Sequence, residues 1–457
     1  MMLTTLPTAN ATITVLGAGF VGLSTASLLA NAGYTVYLIE PNKDRLDVIK
    51  TGKSFFFEEG INPLIKKAIE SGTLIPTDSY EDSVSKSSII FSCVGTPDNP
   101  DGSSNLSYVF SSAEQAADHM LDDAIYVQKS TVPVGTGRQI INKILKTKPS
   151  VRYVSNPEFL RESTALCDTL FFDRVVVGGD SVEANLEVIG LYKKLESCRD
   201  DIAKLGGIAH KNGSGDYIKT SLNSAELIKV TANAFLALKI SFANSIAKLA
   251  DSVDADIVEV MNAVGADPRI GRAFLSAGRG YGGGCFPKDV TGLIMSGLDH
   301  GIDLEIMRSA QVVNASMPGY IVEKLKNAMD GSLKGKKVAV LGLAFKSGTS
   351  DVRKSPGVGL ANSLSEAGAV VSAYDPEANN EAAHDLRRDV TLASTTNQAL
   401  TDVDAVVIAT EWPEFTSLTG EEFQKTMAGN IIVDAINAYG DKFTSYDLRY
   451  IGVGRQS

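Results

Sequence analysis

The sequence predicts an α/β chain with two parallel sheets, each covered by helices on both faces, connected through one long helix. Strand-like apolar runs alternate with helical segments from Thr12 onward, as in a parallel sheet with crossover helices. Ala225 to Val253 carries apolar residues at helical spacing, with no Gly or Pro to stop it. After Lys336 the strand, turn and helix theme returns, so the two halves read as distant structural repeats.

Thr12 to Leu16 is a β-branched strand, Val21 to Asn31 a helix, and Thr35 to Ile39 a second strand ending at Glu40. Further strands are expected at Ile89 to Val94, Ala124 to Lys129, Val151 to Ser155 and Arg174 to Val177. Beyond the long helix, one helical stretch is expected from Asp289 to about Asn327. The second sheet is expected to use Lys337 to Leu341, a strand ending at Tyr374-Asp375-Pro376, Ala405 to Ala409 and Ile431 to Asp434, with a helix near Gly357 to Ala367.

A hydrophobic content of 44% with 21% charged residues fits a globular protein of two or three domains. The net charge of -11 argues against nucleic acid or an anionic membrane as the main partner, although local lysines can still receive an anionic substrate. Met1 to Asn10 has no basic region followed by an apolar core, and no later run reads as long enough to span a membrane, so a cytoplasmic location is expected. Cys93, Cys167, Cys198 and Cys285 are irregularly spaced and only four histidines accompany them; neither a disulfide framework nor a metal site is expected. Cys93 lies in an apolar run and reads as a small core residue.

Gly17-Ala18-Gly19-Phe20-Val21-Gly22 follows a strand and opens a helix. Its glycines suit a tight turn, close backbone approach to a pyrophosphate, and close packing of helix on strand. Glu40 ends the next strand, where a carboxylate accepts ribose hydroxyls and repels a 2′-phosphate, which favours NAD over NADP. Arg45 reads equally as a ribose or phosphate contact and as a solvated helix charge. In the second half no G-x-G-x-x-G follows the first strand, so that turn is not expected to cradle a dinucleotide.

Cys285 follows four glycines in five positions, Gly280-Tyr281-Gly282-Gly283-Gly284, and precedes Lys288 and Asp289. A thiol on such permissive backbone beside a cation reads as a nucleophile, with Lys288 favouring the thiolate. A dehydrogenase that only interconverts alcohol and carbonyl needs no such thiol. The combination therefore points to oxidation past the aldehyde, through a thioester. Lys229 and Asn233 share one face of the long helix, which fits either a site or a solvated surface. Glu158 and Glu162 follow a strand end, where ligands gather in parallel sheets, and Thr131 follows another.

These runs, with Gly95-Thr96-Pro97, Ser130 to Pro133, Asn156 to Glu162, Lys229 to Phe235, Arg269-Ile270-Gly271, Cys285 to Asp289 and Leu343 to Lys346, stand along nearly the whole chain in one order. The chain thereby resembles the UDP-glucose/GDP-mannose dehydrogenase family. The resemblance implies two Rossmann-like, doubly wound domains joined by the long central helix, which also forms the core of a homodimer. Its implied divisions are residues 1–210 for NAD, 211–328 for dimerisation and the cysteine loop, and 329–457 for the UDP-sugar. The implied activity is NAD-dependent, four-electron oxidation of UDP-glucose to UDP-glucuronate, with GDP-mannose or another nucleotide sugar as the alternative substrate. A two-electron hydroxyacid dehydrogenase would leave Cys285 and Glu158 without work.

The resemblance also implies residue roles. Cys285 is the nucleophile, Lys229 stabilises the oxyanion, Asn233 and Asp289 position a water, and Glu158, Glu162 and Thr131 assist proton transfer. Gly17, Gly19, Val21, Gly22, Glu40, Arg45, Thr96, Thr131, Glu162, Lys288 and Arg353 lie along NAD. The nucleotide sugar meets Glu158, Phe159, Leu160, Arg161, Glu162, Lys229, Asn233, Arg269, Phe274, Leu275, Ser276, Ala277, Gly278, Gly282, Phe345 and Lys346. Three departures stand out: Ile436 where the family usually has arginine, Gly284 where serine is common, which is expected to loosen the loop, and Asn105 where an aspartate is usual.

Overall fold

The computed structural model describes residues 11–455 apart from 212, 214, 441 and 444. The stretch Met1 to Asn10, on which the expectation of no leader rests, lies outside the described residues. The chain divides into two compact units, Met1–Thr231 and Ala232–Ser457.

The first unit is built on eight strands: Thr12–Leu16 (β1), Thr35–Ile39 (β2), Leu74–Thr77 (β3), Ile89–Ser92 (β4), Ile125–Gln128 (β5), Arg152–Ser155 (β6), Arg174–Gly179 (β7) and Asp216–Thr220 (β8). Their order is β3-β2-β1-β4-β5-β6-β7-β8, so the chain reverses direction across the sheet between β1 and β4. Helices cover both faces: Ile13 and Val15 of β1 pack into one buried cluster, while Leu16 packs into another with Ile90 and Tyr126. One expectation fails, because β6 pairs with β7 antiparallel. An antiparallel pair needs no crossover helix, so the connection after β6 stays at the carboxyl end of that strand, and Glu158 to Glu162 stay with it.

The second unit carries Lys337–Leu341 (β9), Val370–Tyr374 (β10), Thr391–Leu392 (β11), Ala405–Ile408 (β12), Ile431–Asp434 (β13) and Arg449–Gly452 (β14). The order β11-β10-β9-β12-β13-β14 is wholly parallel, with its reversal between β9 and β12. The four strands that the sequence does not announce, β3, β8, β11 and β14, are the four sheet edges. Edge strands are short and half-wet, so they lack the apolar run that marks a central strand.

The long helix is Leu222–Ser252, 31 residues and about 46 Å at 1.5 Å per residue. By length and composition it is apolar enough to cross a membrane, contrary to the expectation that no run reaches that length. In the second unit its buried positions are small, among them Ala234, Ala237, Ala243, Ala247 and Ala250, while Phe235, Phe242 and Leu249 are exposed.

The stretch after the cysteine loop is two helices, Phe286–Asp299 and Glu305–Ala328, where one was expected. The break is Gly301, at φ 70°, whose N–H reaches the Leu298 carbonyl at 2.9 Å while Ile302 N–H reaches that of Gly297 at 2.8 Å. This left-handed cap ends a helix by satisfying its last carbonyls.

Candidate active site

In the first unit the glycine turn crosses the end of β1 with Gly17 at φ 89°, a conformation that L side chains rarely adopt. A Cβ on Gly22 would collide with the Gly17 carbonyl, so the helix Phe20–Asn31 sits against the turn only because that side chain is absent. The helix N-terminus then offers its amides to an anion. Glu40 is buried and braces the same turn, accepting from Ala18 N–H at 3.3 Å and Asn42 N–H at 2.9 Å. These features fit a dinucleotide: a cradle no Cβ can enter, a helix N-terminus and an acceptor at the end of β2. Arg45 is exposed and lays its guanidinium 4.8 Å from the centroid of the Phe55 ring. Thr96 and Thr131 follow β4 and β5, both half-buried.

Glu40→Ala is expected to weaken NAD by roughly ten- to a hundred-fold, the loss of one charged hydrogen bond, and to narrow the preference over NADP. Titration with both dinucleotides checks this; unchanged selectivity would remove Glu40 as the ribose ligand.

Glu158 and Lys229 meet in the first unit. Lys229 Nζ lies 3.0 Å from Glu158 Oε1, and both side chains are buried. Glu158 Oε2 accepts from Leu160 N–H at 2.5 Å, and Lys229 also lies 5.5 Å from the Phe159 ring centroid. Lys229 is therefore a buried cation at a strand end, which excludes its reading as a solvated lysine. Glu162 is half-buried in the same connection. The Arg161 side chain turns away to Asp168, with Nη2 to Oδ1 at 2.6 Å and Nε to Oδ2 at 3.0 Å.

Two supports of this region carry no sequence motif. Lys129, buried just before Ser130-Thr131, donates to the Tyr192 hydroxyl at 2.9 Å, which donates to Asn156 Oδ1 at 2.5 Å. Glu226, one helical turn before Lys229, accepts from Gly135 N–H at 2.7 Å and Gly137 N–H at 2.8 Å. It thus pins the Thr131 turn to the long helix, and its spacing from Lys229 was the only available signal.

Burial pushes the Glu226 carboxyl up to about 7. A carboxyl raised in the fold binds a proton that the unfolded chain releases, so its stabilising linkage is complete below the ordinary carboxylate range and is lost as pH rises towards 7. In urea melts the stability gap between wild type and Glu226→Gln is expected to shrink from pH 5 to pH 8. A gap that widens would contradict the burial of a proton there.

In the second unit Cys285 sits at the head of the helix Phe286–Asp299, with Pro287 in its first turn. Its side chain is exposed, and a helix N-terminus favours the thiolate. Lys288, expected to favour the thiolate, is ion-paired at 2.7 Å with Asp289 Oδ1. Asp289 Oδ2 accepts from Asn233 Nδ2 at 2.6 Å, so the long helix and the cysteine helix are tied together through one buried carboxylate. Cys93 is the opposite case, a core thiol that burial pushes up to about 12.

Gly284 does not loosen the loop. The Arg353 guanidinium occupies the space where a Cβ would stand, so the missing side chain makes room for a cation beside Cys285. Arg353 is held by Asp351, with Nη2 to Oδ2 at 2.6 Å. The Phe345 ring fills the corresponding place at Gly283, 2.9 Å from an added Cβ, and Lys346 lies 5.9 Å from that ring's centroid. Phe274, at φ 64°, is exposed with its ring 5.9 Å from Phe286, while Leu275, Ala277, Gly278 and Gly282 are buried and Ser276 is exposed. Arg269 is exposed and paired with Asp267. Ile436 brings no charge to the end of β13.

Asp375 ends β10 as Glu40 ends β2, yet its work is structural. Its carboxylate accepts from Leu343, Ala344, Glu377 and Ala378 N–H groups and from Trp412 Nε1, all at 2.7–3.0 Å. No acceptor is left over for a ribose.

A doubly wound sheet with a brace for a dinucleotide, together with a thiol at a helix N-terminus, defines an NAD-dependent oxidoreductase. Three domain models of the UDP-glucose/GDP-mannose dehydrogenase family match the chain: the NAD binding domain at residues 11–196, the central domain at 223–316 and the UDP binding domain at 339–441. The chain is 37% identical over 447 residues to a UDP-glucose 6-dehydrogenase of Rhizobium meliloti, covering 97% of this chain and 99% of that one. It is 36% identical to a UDP-glucose 6-dehydrogenase of Bacillus subtilis, YwqF, covering 97% and 98%. A solved UDP-glucose dehydrogenase from Pyrobaculum islandicum superposes with a TM-score of 0.86 at 35% identity, covering 97% and 98%. The chain belongs to the UDP-glucose/GDP-mannose dehydrogenase family, and NAD is its cofactor.

Proposed function

We propose that this chain oxidises UDP-glucose at C6 to UDP-glucuronate in two successive oxidations, with Cys285 carrying the sugar between them. The observation that carries this reading is the thiol at the head of the Phe286–Asp299 helix in a chain built for NAD. The sugar is supported by relatives named UDP-glucose 6-dehydrogenase at 36–37% identity, against 26% for a solved UDP-D-ManNAc dehydrogenase of Pyrococcus horikoshii.

The Gly17 to Gly22 turn and Glu40 would hold NAD, which when bound would supply the hydride acceptor for each oxidation. The first oxidation removes a hydride and a proton from the C6 alcohol. Cys285 Sγ then adds to the aldehyde carbon while the carbonyl oxygen takes up a proton, forming a thiohemiacetal, and loss of a second hydride together with the hydroxyl proton leaves a thioester. Water attacks its carbonyl carbon, the C–S bond breaks, and the acid and the Cys285 thiol are released. Lys229 stabilises the oxygen that becomes negative in the addition and in hydrolysis. Asn233 and Asp289 position the water; Glu158, Glu162 and Thr131 assist proton transfer.

Residues 1–210 take the dinucleotide, 211–328 the cysteine loop and dimer contact, and 329–457 the nucleotide. Self-association as a homodimer is supported by the long helix, whose Ala-rich side is buried while Phe235, Phe242 and Leu249 are exposed at spacings of seven. A cytoplasmic location without a nucleic-acid partner is supported by the net charge of -11.

Counting NADH per sugar with UDP-glucose, GDP-mannose and UDP-N-acetylmannosamine tests the reading. Two NADH per UDP-glucose are expected. One would mean a simple alcohol dehydrogenase, and preferential turnover of another sugar would move the substrate assignment.

A further inference from the structure

In an open parallel sheet, ligands bind in the crevice where the strand order reverses. In the second unit that crevice lies between the ends of β9 and β12, and the guanidinium of Arg279 stands in it. Nη2 donates to the Phe345 carbonyl at 2.7 Å, while Nη1 donates to Thr410 Oγ1 at 3.1 Å and to the Ala344 carbonyl at 3.4 Å. Ala344 and Phe345 follow β9; Thr410 follows β12. The residue is placed by its backbone as well, since Arg279 N–H donates to the Ala435 carbonyl at the end of β13 at 2.7 Å.

Its charge is poorly answered there. The Arg279 side chain is 7% exposed, and its ion-pair partner, Glu411, lies 3.8 Å away with a half-exposed side chain. Arg161 and Arg353, by contrast, meet Asp168 and Asp351 two-pronged. Burial pushes the Arg279 guanidinium down to about 10 although Glu411 and Asp375 act in the opposite direction, so these two carboxylates do not offset the loss of water. Three hydrogen bonds to neutral oxygens use only part of a fork with five donors. A desolvated cation of this kind is stabilised by a bound anion, and a diphosphate matches its fork.

We propose that Arg279 is a binding residue that contacts the diphosphate of the nucleotide sugar at the β9/β12 crevice. This rests on the nucleotide-sugar reading above. Arg279 lies in the segment matched by the central-domain model, yet it enters the span matched by the UDP binding domain model. The adjoining turn also carries Lys346, whereas the end of β13 offers the apolar Ile436.

The test is calorimetric binding of UDP and of uridine to the full chain, compared among wild type, Arg279→Gln and Arg279→Lys. Arg279→Gln is expected to weaken UDP by about ten- to a hundred-fold and to leave uridine within about two-fold, as for loss of one charged contact. Arg279→Lys, which keeps the charge and loses the fork, is expected to recover part of the UDP affinity. In turnover, KM for UDP-glucose rises while KM for NAD stays. Equal weakening of UDP and uridine would mean that Arg279 merely shapes the turn, and unchanged UDP affinity would remove it from the site; either overturns the proposal. Should the glutamine variant not fold, the lysine variant carries the same comparison. A wild type that binds GDP instead of UDP would sink the substrate assignment, while GDP against guanosine would still decide the role of Arg279.

Discussion

Cys285→Ser is expected to lower steady-state turnover by about a thousand-fold or more, the scale for loss of a nucleophile that the rest of the site is arranged around. A hydroxyl at the head of the Phe286–Asp299 helix is far from ionised at neutral pH, whereas a thiol in the same place is within reach of the thiolate. The change removes one sulfur from an exposed side chain and disturbs neither the Asn233–Asp289 contact nor the Lys288–Asp289 pair. Substrate and NAD affinity and the melting temperature are therefore expected to stay near wild type. Absorbance at the NADH band, followed over single and multiple turnovers, reads the result. Two NADH per sugar at close to the wild-type rate would exclude a covalent intermediate at this residue.

Lys229→Ala is expected to lower kcat by about a hundred- to a thousand-fold with a smaller change in KM, as when one oxyanion donor is lost. It also leaves Glu158 buried without its ammonium partner. Breaking a buried pair from one side costs about 3 to 5 kcal/mol, so the melting temperature should fall as well. The double variant with Glu158→Gln isolates the stability effect: the melting temperature should largely return, while kcat should not, since Glu158 is itself placed in proton transfer. A double variant with recovered kcat would make Lys229 a structural partner of Glu158, and the oxyanion role would pass to Asn233 as the first candidate.

The residues alone carried the glycine turn, the Glu40 carboxylate at the end of β2 and the cysteine loop, because each is a local device. A strand, a turn that excludes Cβ atoms and a helix N-terminus are made by neighbours in the chain, and so they leave a local trace. The central strands were legible for a similar reason, since burial on both faces demands an unbroken apolar run. The edges β3, β8, β11 and β14 left no such trace. The break at Gly301 was visible only as a glycine inside an otherwise helical pattern.

Tertiary structure alone decided which charges meet. Glu158 and Lys229 are 71 residues apart and Asn233 and Asp289 are 56 apart, and no periodicity links the members of either pair. Glu40 and Asp375 end equivalent strands, yet the first accepts from two N–H groups and the second spends its oxygens on five donors. Gly284 reads in the chain as slack and in the fold as the space for Arg353. Arg279 was one more charged residue in a glycine-rich run until the strand order placed it in the crevice between β9 and β12. The chain's own order thus determined the kind of chemistry and its local devices. The pairing and burial of its charges depended on contacts between distant segments, since the cost of removing a charge from water depends on what surrounds it in space.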